Sequence, residues 1–169
     1  MAFSGQNKII VGWKWISGTA TDSDNILTNI IISDGSGSGE ADGSWNSDPV
    51  TLLSGTTTTY DLTALPKILF GASVEYEFSR VISLVIKVDS TSTGTLVVGG
   101  ASSNTWIGPF ADTSDKIQIE PNSNWYVDAL NSGWTVSGTV KNLKLEASGG
   151  DVLYTLAIVG NPTLTQSGS

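Results

Sequence analysis

Residues 73–100, SVEYEFSRVISLVIKVDSTSTGTLVVGG, carry the densest apolar alternation in the chain and decide its fold class. Val74, Tyr76 and Phe78 fall on one face of an extended strand with Glu75 and Glu77 on the other, and Ile82, Leu84, Ile86 and Val88 repeat the same period of two. Such a strand has one side in the core and one side wet. A polar turn at residues 89–93 and Gly94 lead into TLVVGG, a third apolar run that reads as an antiparallel neighbour joined by a short loop.

Toward the C-terminus, Ile117 and Ile119 alternate with polar residues until Pro121, and short strands are predicted at 125–130 and 134–136 with Asn131-Ser132-Gly133 as a turn. Leu143, Leu145 and Ala147 alternate with Lys144 and Glu146, and Ser148-Gly149-Gly150-Asp151 returns the chain through Val152, Tyr154, Leu156 and Ile158. This reads as a hairpin. Toward the N-terminus, residues 8–15 form a strand with Ile9, Val11, Trp13 and Trp15 on one face, 18–25 are turn chemistry, and 30–32 are a short buried strand. The glycines of 34–45, DGSGSGEADGSW, favour a flexible loop. Strands follow at 50–53 and 57–62, and ALPKILFG, 64–71, reads as one helical turn or an apolar connection, the only hint of helix in the chain. No helical period and no internal repeat is sustained. Eight to ten short strands imply an all-β fold, a two-sheet antiparallel sandwich of the jelly-roll kind, with a closed barrel as the alternative. The expected organisation is an N-terminal arm over 1–7, one domain over 8–160 and a polar tail over 161–169.

Composition narrows the chemistry. At 169 residues the chain fits one domain, which at that size buries roughly 70% of its unfolded surface. With no cysteine there is no disulfide scaffold or thiolate metal site, and with no histidine the commonest general base and metal ligand are missing. Paired carboxylates, Lys or Tyr chemistry and all-oxygen metal sites remain open. A net charge of −8 argues against nucleic acid, which needs clustered Lys or Arg, and suits solubility. The first residues show neither a signal peptide nor a membrane span, so synthesis in a cytoplasm is expected.

Candidate sites are few. Asp34, Ser36, Ser38 and Gly39 resemble the opening of a calcium loop, but the twelfth position, where a bidentate carboxylate belongs, is Trp45. Glu75 and Glu77 share a face that reads as solvated, and Asp112 and Asp115 flank a turn and read as bonded to local amides. No catalytic, cofactor or metal residue is therefore assigned, and an enzyme is not expected. Six tryptophans are many for a chain with 14% charged residues. Trp13 and Trp15 read as core, whereas Trp45, Trp106, Trp125, Tyr126 and Trp134 lie in or beside predicted loops. Rings there cap the ends of a sandwich, anchor a protein interface or stack on sugars.

The run LVVGGASSNTWIGPFADTSD (96–115), then KIQIEPNSNWYV and GWTVSGTVKNLKLEASGGDVLYTLAIVG, resembles a group of small all-β virion proteins of tailed bacteriophages. The likeness covers 81–160 and is a pattern of turns and strands, with only general texture in common before it. The resemblance implies a capsid decoration or cement protein, a jelly-roll module that binds the outside of the major capsid protein lattice as a homo-oligomer or at symmetry axes of the shell, while charge and the lack of an apolar span argue against nucleic acid and membrane as partners. Under that reading the interface candidates are Phe3, Trp45, Trp106, Ile107 and Phe110. The rival reading is a carbohydrate-binding module or a receptor-binding tail or head-fibre component of the same fold.

Overall fold

In a computed structural model the alternation over residues 72–88 becomes one 17-residue strand at the centre of the larger of two main sheets. The structure describes the backbone of residues 5–17 and 20–166 and side chains from residue 32 to 166. Phe3 lies outside the described residues, as do the side chains of Trp13 and Trp15. In chain order the strands are β1 (Gly5–Ser17), β2 (Ala20–Asp34), β3 (Glu40–Ala41), β4 (Gly43–Asn46), β5 (Val50–Leu52), β6 (Thr57–Asp61) and β7 (Leu65–Leu69). Then come β8 (Ala72–Val88), β9 (Thr95–Gly99), β10 (Lys116–Ile119), β11 (Asn124–Asp128), β12 (Trp134–Thr135), β13 (Asn142–Ser148) and β14 (Val152–Gln166). No helix occurs among the described residues.

The larger sheet runs β11-β8-β14-β4, with β5 also on β14 and with β7 and β12 also on β8. The smaller runs β10-β9-β13-β6, and a third sheet joins β1, β2 and β3. Every pairing is antiparallel except that of β2 with β3. The two main sheets share one core: Leu84, Ile86, Tyr154, Leu156 and Ile158 come from one, and Leu96, Val98, Leu143, Leu145 and Ala147 from the other. Each sheet is apolar on its inner face because its strands alternate.

Two expected hairpins are corrected. β8 and β9 lie in different sheets, and so do β13 and β14, so the turns after Val88 and Ser148 are corners between layers. Alternation states which face of a strand is buried and is silent about its hydrogen-bonded neighbour. Other boundaries also move. Residues 65–69, read as a helical turn or an apolar connection, form β7, because Leu65 is buried opposite Tyr76 and Leu69 leads through a two-residue turn into β8. Asn161–Gln166 continues β14 along β8 instead of forming a tail, and β1 begins within the predicted arm, at Gly5. β2 begins at Ala20, within the stretch read as a turn.

The period of two also breaks inside β8. Its register with β14 slips at Val159/Gly160 and at Asn161/Pro162, leaving Ser79 and Ile82 unpaired in the ladder with β14. Each slip inserts one residue and turns the following side chains to the other face. Val81 therefore points into the main core with Phe78 and Leu84, whereas Ile82 joins Ile32 and Ala41 in a second cluster under Leu130 and Val159. Gly160 sits at the slip because a Cβ there would meet the Arg80 carbonyl oxygen at 2.1 Å.

Candidate functional site

The loop between β9 and β10, residues 100–115, holds three of the five interface candidates. Its frame is built from hydrogen bonds within the loop and to the start of β13. The Asn104 carbonyl accepts the amides of Lys141 and Asn142 at 2.8 and 2.9 Å, and Thr105 Oγ1 donates to the Ala101 carbonyl at 2.7 Å. Farther on, the Asp115 carboxylate accepts the amides of Ala111 and Asp112, and Asp112 accepts that of Ser114. The Ser114 amide and hydroxyl hold the Asp112 carboxyl below its ordinary range. These two acids thus shape the turn, as their position in sequence predicts.

Trp106 is the anchor of this loop. It is 1% exposed, donates from Nε1 to the Thr135 carbonyl at 3.2 Å and meets Trp134 edge-on, with ring centroids 5.9 Å apart. Expected at an interface, it lies in the core, because its indole finds both an apolar bed and a carbonyl acceptor there. Ile107, the next residue, is 39% exposed. Phe110 is half-buried and leans on Trp125 with centroids 5.9 Å apart. One loop therefore ties a buried ring to an outward apolar side chain.

Trp45 is likewise in the core and not on a loop. On β4 it faces Ile158 of β14, is 5% exposed, donates from Nε1 to the Pro66 carbonyl at 3.0 Å and packs edge-on against Tyr60. The Tyr60 and Tyr154 hydroxyls share a 2.8 Å hydrogen bond beside it. Burial raises the Tyr154 phenol well above its ordinary value, and its bond to Tyr60 adds to that shift. The strand was hidden in the sequence by the glycines around it, and only the spacing of Ala41, Gly43 and Trp45 marked it.

The glycine-rich loop at 35–39 is held in place. Arg80, the chain's single arginine, donates from Nη2 to the carbonyls of Ser36, Gly37 and Glu40 at 2.9, 2.9 and 3.2 Å. Of these, the Glu40 carbonyl stands at the seventh position, the backbone ligand of a calcium loop, and it faces a guanidinium instead. Among the described residues no group of three or more acidic side chains converges as a metal site. Glu75 and Glu77 are half-buried on the outer face of β8, and Glu77 accepts the Thr165 hydroxyl at 2.9 Å.

Sequence reasoning missed the β7–β8 turn. Leu69 pairs with Ala72, so Phe70-Gly71 is a two-residue loop with φ of 51° and 83°, the backbone of a type I′ turn. Phe70 is 93% exposed and Ile68, on the outer face of β7, is 72% exposed. The signal available was Phe-Gly between two alternating runs. Among the described residues no helix is long and apolar enough to cross a membrane. No protein-family model matches the chain, and no curated protein matches it.

Proposed function

We propose that this chain is a structural, non-enzymatic virion protein that binds the outside of a tailed-phage capsid and reinforces contacts between copies of the major capsid protein. The observation that carries the reading is the build of the 100–115 loop: Trp106 locks it to the core while Ile107 stands outward on a bonded frame. A side chain presented by a rigid loop costs little ordering on binding, and many such contacts on a lattice add through effective concentration. The surplus of acids suits the exterior of a particle better than a surface facing packaged DNA.

Strand order supports the jelly-roll form of the fold. With β5, β6, β8, β9, β10, β11, β13 and β14 counted as eight successive strands, the two sheets read 1-8-3-6 and 2-7-4-5. Each connection between successive strands of the eight passes from layer to layer, as in paired Greek keys, except that from β9 to β10, which are neighbours in one sheet. The carbohydrate reading loses two of its stacking rings, since Trp45 and Trp106 are buried. Purified full chain should sediment with capsids that lack it and decorate their outer surface in a regular array, and Ile107→Asp should abolish sedimentation with an unchanged melting temperature. Specific glycan binding on an array with no capsid binding would overturn the proposal.

A further inference from the structure

Phe70 stands out as the most exposed large apolar side chain among the described residues, at 93%. It also occupies the left-handed region, φ 51°, which a bulky residue rarely adopts. The other described non-glycine residues with positive φ are Asn104 and Asn122, the residue type that tolerates this backbone. A Phe there costs conformational energy and leaves a ring in water, and no ring contact with another described residue offsets that cost. Backbone strain combined with apolar exposure at a turn marks a contact with something outside the chain.

Beside this knob lies a hollow. Pro66 and Ile68 on the outer face of β7, with Asp48, Lys67 and Ser73, line an open depression next to the turn. A knob and a hollow on one surface make that surface self-complementary, as a two-fold contact between identical chains requires. Pairing of the β7 edges is the other way two copies could meet, and it is discouraged here. Among the described residues β7 pairs with β8 alone, and its edge carries Pro66, which has no N–H, and Lys67.

Charge selects this place as well. At −8 per chain, two copies repel over most of their surface. In the hollow the Lys67 ammonium lies 3.7 Å from the Asp48 carboxylate and donates to the Asn46 carbonyl, so the two charges offset each other. We infer that two copies of this chain associate through the β7–β8 hairpins, the Phe70 ring of each entering the depression formed by Pro66, Ile68 and Ser73 of the other. Two hairpin tips bury far less than the roughly 1,200 Å² of stable complexes, so the contact is weak in free solution and strengthens when copies are held side by side. The inference does not depend on what the module attaches to.

The test is sedimentation velocity of the full chain over a series from micromolar to millimolar. The weight-average sedimentation coefficient should rise with concentration, and Phe70→Asn, which suits the turn, should abolish the rise while keeping or raising the melting temperature. Because the chain has no cysteine, a mixture of Phe70→Cys and Ile68→Cys chains should oxidise to a crossed disulfide dimer. A coefficient that stays monomeric throughout, or a rise that Phe70→Asn leaves unchanged, overturns the inference. So does a monomeric chain whose Phe70→Asn variant loses attachment to capsids, since that assigns the tip to a different protein.

Discussion

Arg80 Nε donates to Asn161 Oδ1 at 2.8 Å, joining β8 to β14 within their irregular stretch. Asn161 is buried and donates from Nδ2 to the Gly35 carbonyl at 2.9 Å, while Arg80 Nη2 reaches the carbonyls of Ser36, Gly37 and Glu40. The pair thus ties the glycine-rich loop to the central strands. A planar fork makes these bonds together, and an ammonium cannot. Arg80→Lys should lower stability by about 2–3 kcal/mol, the scale of lost charged hydrogen bonds, in urea unfolding. New protease cleavage within residues 34–41 should accompany it. An unchanged digestion pattern would remove Arg80 from this role.

Gly160 allows the slip in register. A Cβ at this position would overlap the Arg80 carbonyl oxygen at 2.1 Å, and backbone cannot swing aside as a side chain can. Gly160→Ala should cost about 3 kcal/mol or more, in the tail of single-substitution effects. Gly138 is the control, with open space where a Cβ would stand and no positive φ. Gly138→Ala should be neutral or slightly stabilising. Equal melting temperatures for the two variants would contradict this account of the bulge.

Trp106 and Ile107 separate packing from presentation. Trp106→Ala should cost about 3–5 kcal/mol, the range for emptying a buried aromatic site, and Ile107→Asp should stay within about 0.5 kcal/mol of the parent, as surface changes do. Chemical denaturation of both variants decides. A stable Trp106→Ala protein would return this ring to the interface.

Stability should fall at both ends of the pH scale. Burial raises the Tyr60, Tyr76 and Tyr154 phenols. Their folded values lie above the unfolded one, so their contribution is complete below the ordinary phenol value of about 10 and is lost as pH rises through the folded values. Asp61 behaves oppositely. Burial pushes it up, but hydrogen bonds from Lys141 and Thr63 outweigh that and leave it lowered, so its contribution is lost as pH falls through its folded value. Tyrosinate absorbance should rise together with alkaline unfolding, and Asp61→Asn should flatten the acid limb of a melting-temperature profile. Tyrosines that all ionise at their ordinary value in the folded chain would contradict the first expectation.

Much of the fold is legible in particular residues. Val74, Tyr76, Phe78, Leu84, Ile86 and Val88 are buried as their alternation predicts, and Leu143, Leu145, Ala147, Val152, Tyr154, Leu156 and Ile158 likewise. The candidate site is less legible. Trp45 and Trp106 stand in glycine- and serine-rich surroundings that read as surface, and their burial depends on carbonyls of Pro66 and Thr135 supplied from elsewhere in the chain. Phe70 went unread because Phe-Gly is not one of the usual Asn-Gly or Asp-Gly hairpin pairs, and Pro66 before it argues against a strand.

Residues 72–88 show where the division lies. Strand identity over this stretch, and the face of each side chain up to Phe78 and from Leu84 on, are local properties set by the period of two, and the chain determined them by itself. Which strand lies beside which, where the period slips and which tryptophans are covered are set by partners far along the chain. Only the tertiary structure decided that Val81 faces the core and Ile82 the second cluster, because the two register slips arise from how β14 meets β8.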